Sequence, residues 1–146
     1  MSTASTMTFQ PKHPVFTARH AMGQALEGEC LSAHDGFSAR YDLDRLAGTF
    51  SRPGHKLFGQ SYHDKILVLD TAKGGVASAW MLYEMKSRNL CPKAIIFNTV
   101  NPILAQGAAQ AGITMLAGFD LDITAAIAHG SRLRIDPVSR TVQVLG

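Results

Sequence analysis

The sequence is poor in the features that build disulfide frameworks and membrane spans. It has two cysteines in 146 residues, Cys30 and Cys91, and their wide separation leaves no CxxC pair. We therefore expect neither a disulfide framework nor a metal site held by this chain alone, and a cytoplasmic location is the default. No apolar run approaches the ~20 residues that a bilayer-spanning helix needs, so no membrane partner is expected.

Charge is also scarce and evenly spread. Charged residues make up 17% of the chain, and 14 Lys and Arg against 11 Asp and Glu give a formal net charge of +3. The basic residues form no run and no stripe interleaved with aromatic residues, which argues against a nucleic-acid partner. The mild positive balance would still help to attract a small carboxylate or phosphate substrate.

The length and composition predict one soluble domain. A chain of 146 residues that is 46% hydrophobic can bury one core, but it is too short to divide into two domains. Its first residues, MSTASTMTFQPKHP, lack the apolar segment of a secretory signal. We predict a mobile tail over residues 1–15 and a single domain over residues 16–146.

The first half of the domain reads as β-rich and irregular. Glycines at positions 23 and 28 interrupt any long helix in residues 16–34, which predicts two or three short strands. Residues 35–64 are dense in Gly, Asp, Ser and Pro and predict a long ordered loop or a set of hairpins. Within them, Asp35, Asp42 and Asp44 are interpreted as parts of a solvated turn rather than of a calcium loop.

The second half alternates buried strands with helices, which predicts parallel pairing and an α/β fold with a mixed sheet. The first helix is amphipathic, with Val76, Ala79, Trp80 and Tyr83 on its apolar side. The predicted elements are strands at 65–70, 93–98 and 113–116, helices at 76–89 and from Pro102 to Gly112, a short helix capped by Asp120 or Asp122, and a C-terminal hairpin.

The segment TAKGGVAS joins the first of these strands to the first helix and is the main candidate site. Ligands of open α/β sheets bind at this edge, and the free N–H groups of Gly74, Gly75 and Val76 at a helix start favour an anion. Lys73 adds a positive charge, and Ser78 could donate a hydrogen bond from the first helical turn. The alternative is a tight turn that needs glycine for its backbone and carries a solvated lysine.

Two further side chains are weaker candidates. His55 follows a Pro-Gly turn and could act as a general acid or base or as an anion ligand, or it could be an ordinary surface histidine. Asn98 ends the second buried strand at the same edge as Lys73, where it could bind substrate or simply form a turn.

Four stretches in a fixed order resemble the aconitase X swivel-domain family. His55-Lys56-Leu57-Phe58-Gly59 resembles the family's His-Pro-Leu-x-Gly segment, and residues 92–108 match its strand and following Pro-Ile-Leu-Ala-x-Gly-Ala. The four stretches are MGQALEGECLSAHDGF, GHKLFGQSYHDKILVLDTAKGG, CPKAIIFNTVNPILAQGAAQAGI and GSRLRIDPVSRTVQVLG.

The resemblance implies a swivelling β/β/α domain that closes over an active site carried mainly by a larger subunit. It implies a hydro-lyase small subunit that is inactive alone and acts on a hydroxy-carboxylate. Iron or an iron–sulfur cluster would belong to the large subunit, with none bound by this chain alone. Lys73, Ser78 and His55 are then the catalytic candidates, and Gly74, Gly75, Val76 and Asn98 the substrate-binding ones.

The chain departs from the family in the central loop. The family loop reads Arg-Gly-Ser-Ser, and one of its serines is thought to act as the base, whereas this chain has Lys73-Gly74-Gly75-Val76. Ser78 is the nearest hydroxyl group. A non-catalytic binding or regulatory module of the same fold therefore stays open as an alternative, as does an independent small-molecule enzyme with a phosphate site in the loop.

Overall fold

The structure, a computed structural model, describes residues 13–146. Most of the predicted N-terminal tail lies outside the described residues. Its last part is already attached to the sheet, because Val15 begins the first strand and the carbonyl of Pro14 accepts the N–H of Val144 at 2.9 Å. Within the described part of the chain, no helix is both long enough and apolar enough to cross a membrane.

Eleven strands and three helices make up residues 13–146, and they confirm the predicted β-rich first half and alternating second half. The helices are α1 (Val76–Ser87), α2 (Pro102–Ala111) and α3 (Ile123–Ala126). The strands are β1 (Val15–Thr17), β2 (His20–Met22), β3 (Leu26–Ser32), β4 (Gly36–Phe37), β5 (Leu43–Asp44), β6 (Thr49–Phe50), β7 (Ile66–Ala72), β8 (Ala94–Thr99), β9 (Thr114–Ala117), β10 (Arg132–Asp136) and β11 (Thr141–Val144).

The main sheet is mixed and folds back on itself. Its order is β1-β11-β10-β3-β7-β8-β9-β2, with β3, β7, β8 and β9 parallel and the other neighbours antiparallel. Strands β1 and β2 lie at opposite edges although only Ala18 and Arg19 separate them in the chain. These two residues form hydrogen bonds next to both β11 and β9, since the N–H of Ala18 donates to the carbonyl oxygen of Arg140 and the N–H of Arg19 donates to that of Gly118. The sheet therefore curls into two layers.

Side-chain alternation along the central strands builds two separate cores. In β7, Ile66 and Val68 point between the two sheet layers, whereas Leu67 and Leu69 point toward α1 and α2. Period-two alternation of this kind is the normal geometry of a strand buried on both faces. The result is the expected β/β/α arrangement, with α1 and α2 on one outer face and the short α3 packed on the opposite side of the central strands.

Helix α2 begins and ends where its sequence predicts. Asn101 caps it by accepting the N–H of Leu104 at 2.8 Å, Pro102 occupies the first turn, and Gly112 ends it at a φ of 74°. In its middle, a Cβ added to Gly107 would meet the Cα of Ala79 in α1 at 2.8 Å. The missing side chain allows the two helices to pack closely.

Helix α1 turns its predicted apolar side away from the core. Its buried residues are Ser78, Leu82 and Met85, whereas Trp80 is 68% exposed and Tyr83 is 53% exposed. Trp80 and Tyr83 contact each other edge to face, with ring centroids 6.3 Å apart. The periodicity of the sequence is real, but it marks an outer apolar surface rather than a packing face.

The predicted solvated turn holds for Asp44, which is exposed, but it is wrong for Asp42. Asp42 is only 4% exposed, and its carboxylate accepts the backbone N–H of Ser38 at 3.0 Å. Arg52 pairs with it from the next turn through Nε at 2.5 Å from Oδ1. The prediction failed because the partner that compensates the buried charge lies ten residues away.

Candidate functional site

An open cleft of about 680 Å³ lies beside the start of α1, where β7 ends. The connecting residues Lys73, Gly74 and Gly75 form one wall, and the segment from Asp35 to Arg52 supplies the opposite wall. This is the carboxyl edge of parallel strands, as the sequence predicts. Three cationic and two carboxylate side chains line the cleft: Arg40, Arg52, Lys73, Asp35 and Asp42.

Gly74 is required by the backbone and by its neighbour. Its φ is +100°, which residues with a side chain rarely adopt, and an added Cβ would overlap Ser78 Oγ. Its carbonyl accepts a hydrogen bond from Asn101 Nδ2 at 3.1 Å, which ties the turn to the start of α2. The backbone therefore requires glycine at position 74, and its role in substrate binding stays a prediction.

Gly75 has no such requirement. It is the N-cap of α1 and makes no side-chain capping bond, and a Cβ added there would meet no atom within 4 Å. The first turn of α1 also contains no acidic residue. Its N–H groups are therefore left without a side-chain acceptor at a point where the helix dipole favours negative charge.

Two cations of the cleft have no carboxylate within ion-pair distance among residues 13–146, namely Lys73 and Arg40. The guanidinium of Arg40 lies 5.4 Å from the ring centroid of Tyr41, an exposed aromatic residue at the same cleft. The Lys73 backbone N–H donates to Phe37 at 2.8 Å. The cleft thus offers positive charge that the described chain does not neutralise.

Arg52 neutralises the two acidic residues of the wall. Besides Asp42 it contacts Asp35, with Nη2 3.4 Å from Oδ1, and the hydrogen bond to Asp42 raises the pKa of Arg52. Burial acts to raise the pKa of Asp35, but the backbone N–H groups of Lys56 and Gly36 hold it below its ordinary value. Both carboxylates are therefore compensated within the wall, and neither forms an ion pair with Lys73.

Two serine hydroxyl groups lie at the cleft. Ser78 is 3% exposed, and its Oγ rests against Gly74. Ser38 is also buried, and its Oγ accepts the N–H of Tyr41 at 3.2 Å, which leaves its own proton available. Ser78 is thus placed beside the loop as the sequence predicts. Val76 is not, because its side chain lines a different groove with Trp80, Tyr83 and Ile103.

His55 lies near the cleft but not at its surface. Its side chain has no exposed area, and its ring stacks on Phe50 with centroids 4.7 Å apart. Nδ1 accepts the N–H of Leu57 at 3.0 Å, and Nε2 lies 2.8 Å from the carbonyl oxygen of Gly36. With both nitrogens occupied, this ring does not reach a ligand in the cleft, and a catalytic role stays a prediction.

Asn98 lies apart from the cleft on the α3 side of the sheet. Its Nδ2 donates to Asp70 at 2.9 Å and to Asp122 at 2.8 Å, while its Oδ1 accepts the N–H of Ile123. Hydrogen bonds from Thr124 and Asn98 hold the pKa of Asp122 below its usual range. The amide is fully used in fixing α3, so the structure does not bring Asn98 to Lys73.

Comparison with known proteins identifies the fold family. The model of the aconitase X swivel domain matches residues 15–144. The chain belongs to the aconitase X swivel-domain family. Among solved structures, it is 30% identical to Thermococcus kodakaraensis aconitase X in its holo-form, with a TM-score of 0.83 over 91% of this chain and 99% of that one.

Curated relatives of this swivel domain are named phosphomevalonate dehydratase small subunits. The protein of Methanococcoides burtonii is 32% identical over 82% of this chain and 87% of its own length. That of Thermococcus gammatolerans is also 32% identical, over 87% of this chain and 95% of its own.

Sequence reasoning missed the contribution of residues 38–42 to the swivel-domain cleft. Arg40 and Ser38 lie in a segment that reads as a solvated turn, so nothing local marks them as site residues. The available signal was Arg52, a cation ten residues after Asp42 that could compensate a buried carboxylate. Asn101, predicted only as a helix cap, is the asparagine that contacts the loop.

Proposed function

We propose that this chain is the small subunit of an aconitase X-type dehydratase that acts on a hydroxy-carboxylate. In this proposal, residues 73–75 bind an anionic group and close over an active site carried mainly by a large subunit. The observation that carries it is the cleft at the start of α1, where Lys73 and Arg40 lack carboxylate partners in the described chain. Small-subunit relatives and the aconitase X fold support the reaction type.

The proposed reaction removes a proton α to a carboxylate and expels the β-hydroxyl group, with a second proton, as water. Negative charge grows on the carboxylate as the first proton leaves, and a cation placed beside it stabilises that charge. We assign this role to Lys73, assisted by the uncapped N–H groups of α1. Ser78 and Ser38 are the hydroxyl candidates for proton transfer within this chain.

Iron or an iron–sulfur cluster in the large subunit would supply Lewis-acid activation of the leaving hydroxyl group. Over residues 13–146, no group of three or more His, Cys, Asp or Glu side chains is arranged to hold a metal ion. The residues of this chain do not fit such a cofactor, so we assign them to substrate binding and proton transfer alone.

The curated relatives suggest the substrate class. Phosphomevalonate, after which they are named, carries both a carboxylate and a phosphate group. Two unneutralised cations on one cleft suit a substrate with two anionic groups better than a simple monocarboxylate. We therefore propose a phosphorylated hydroxy acid, with Lys73 and Arg40 each facing one anionic group.

Replacement of Lys73 tests the proposal in the reconstituted complex with the aconitase-like large subunit. Lys73→Ala should lower kcat/KM for phosphomevalonate roughly 10- to 100-fold, with a higher KM and a lower kcat, because a hydrogen bond to a charged group contributes about 1.5–3 kcal/mol. Lys86→Ala is the matched control, since Lys86 lies in the last turn of α1 and its Nζ contacts Gly112. Equal kinetics for both variants would contradict the proposal.

We also propose that the large subunit covers the outer side of α1. The groove there is lined by apolar and amide side chains without a charged residue, and Val76 joins it directly to Gly75 of the cleft. Trp80 is the single tryptophan of the chain, so 5-fluorotryptophan labelling gives one ¹⁹F signal. This signal should shift and lose its solvent isotope effect when the complex forms. An unchanged signal in an assembled complex would contradict this contact.

A non-catalytic binding module of the same fold is the second candidate. It is favoured by the glycine and valine at positions 75 and 76, which offer no hydroxyl group where the family loop has serines. In that case the reconstituted complex would bind phosphomevalonate with an affinity that depends on Lys73, yet it would release no water from it. A turnover assay beside a binding assay therefore separates the two functions.

A further inference from the structure

The buried imidazole of His55 is joined to the candidate loop through strand β4. Because Nδ1 accepts the N–H of Leu57, the ring proton lies on Nε2, which donates to the carbonyl oxygen of Gly36. Gly36 pairs with Thr71 next to the end of β7. The following residue, Phe37, accepts the backbone N–H of Lys73 at 2.8 Å. One hydrogen-bonded path therefore connects the imidazole to the Lys73 backbone.

The side chain of Lys73 depends on the same glycine. A Cβ added to Gly36 would lie 3.1 Å from Lys73 Cε and 3.6 Å from its Cδ, so the aliphatic chain of the lysine runs over Gly36. Moving the Gly36 backbone would move both the hydrogen bond that holds Lys73 and the surface on which its side chain rests. The direction of the ammonium group is thus coupled to the position of β4.

The ring itself is held firmly. Phe50 stacks on one face, and the Oδ2 atoms of Asp35 and Asp42 lie 3.9 Å from Nδ1 and Nε2 respectively. Arg52 pairs with both carboxylates and keeps them in place. A flat side chain with an acceptor at one end and a donor at the other is needed to join Leu57 to Gly36, which explains a histidine here.

We propose that His55 is a positioning residue, which fixes Gly36 and thereby aims Lys73 into the cleft. Its effect on turnover rests on the function proposed above, whereas its effect on the position of Lys73 does not. The two claims are therefore tested separately, the second on the chain of 146 residues alone.

Two variants divide the role of the ring. His55→Asn can still accept the local Leu57 N–H, as asparagine often does two residues ahead, but it is too short to reach Gly36. His55→Gln is longer and keeps an N–H donor that can reach Gly36. The exposed His20→Gln is the control for a histidine replacement in general.

NMR on the isolated chain measures the path directly. The scalar coupling across the hydrogen bond from Lys73 N–H to the Phe37 carbonyl should be lost in His55→Asn, kept in His55→Gln and unchanged in the control. Persistence of the coupling in His55→Asn, together with unshifted Lys73 signals, would overturn the proposal.

Kinetics of the reconstituted complex supply the second readout. His55→Asn should raise KM for phosphomevalonate at least fivefold and lower kcat in the same direction as Lys73→Ala, and it should add nothing to Lys73→Ala. If the KM increases of the two single variants multiplied in the double variant, His55 and Lys73 would act independently and the proposal would be wrong. If Lys73→Ala alone leaves KM unchanged, the proposed function fails, while the NMR coupling still decides the role of His55.

Gly36→Ala keeps the test decisive if His55→Asn does not fold. The new methyl group would press on Lys73 Cε and leave the imidazole in place. The same rise in KM, with His55 ring signals unshifted, is expected. An unchanged KM would mean that the Gly36 surface does not direct the Lys73 side chain into the cleft, and the proposal would be wrong.

Discussion

The two glycines of the loop should differ sharply in how they tolerate alanine. Gly74 has a φ of +100°, and alanine in a left-handed conformation is less stable by about 1–2 kcal/mol. Its Cβ would also overlap Ser78 Oγ, and overpacking of this kind adds about 1–3 kcal/mol. Gly74→Ala should therefore lower the free energy of unfolding by about 2–5 kcal/mol. Gly75→Ala, with no atom within 4 Å of its Cβ, should change it by less than about 1 kcal/mol.

Urea unfolding of the isolated chain, followed by circular dichroism, measures both variants under the same conditions. A thermal scan gives a second readout. Because each kcal/mol of lost unfolding free energy lowers the Tm by about 2–4 °C, the Tm of Gly74→Ala should fall by about 4–20 °C. Adding Ser78→Ala to Gly74→Ala should recover part of the loss, because it removes the overlapping oxygen and leaves only the backbone strain. Equal effects of the two glycine replacements would refute the reasoning. The glycine pair would then have to be explained as one unit.

Two further predictions concern the cleft wall and the helix pair. Asp35→Asn should make the free energy of unfolding less dependent on pH in the acid range. The pKa of Asp35 is lowered in the folded protein, so its carboxylate stabilises the fold above the ordinary pKa of about 4. This contribution is lost as the pH falls through the lowered pKa. Urea midpoints of both proteins between pH 3 and 6 should therefore converge at the acid end. Gly107→Ala should destabilise the protein by about 1–3 kcal/mol despite the helix preference of alanine, because its Cβ meets Ala79. A higher urea midpoint for that variant would contradict close packing of α1 and α2.

The parallel half of the fold could be predicted because its signals are local. Strand β7 is an apolar run buried on both faces, and the caps of α2 at Asn101 and Gly112 are chemical signals within a few residues of the ends they fix. The return of the sheet on itself could not be predicted. It depends on the pairing of Val15 with Gln143, at the two ends of the chain, and no local pattern specifies that contact.

The candidate site divides in the same way. Lys73, Gly74 and Ser78 could be found because they lie on one strand–turn–helix junction with a recognisable ligand-binding geometry. Arg40 and Ser38 could not, since the opposite wall of the cleft depends on the long-range pairing of Asp42 with Arg52. The outer side of α1 shows a further limit, because hydrophobic periodicity is the same whether an apolar face packs on the core or faces outward.

The structural requirement at Gly74 and the functional hypothesis for the loop therefore support each other rather than compete. Gly74 must be glycine so that the chain can turn over Ser78, and this turn leaves the α1 N–H groups uncapped at Gly75. The same turn leaves Lys73 in the wall of the cleft, with its side chain over Gly36. A side chain at position 75 would meet no neighbouring atom, yet the first turn of α1 has no side-chain cap. The proposed anionic group would accept hydrogen bonds from the N–H groups that this turn leaves uncapped, so one backbone geometry would serve both chain reversal and binding.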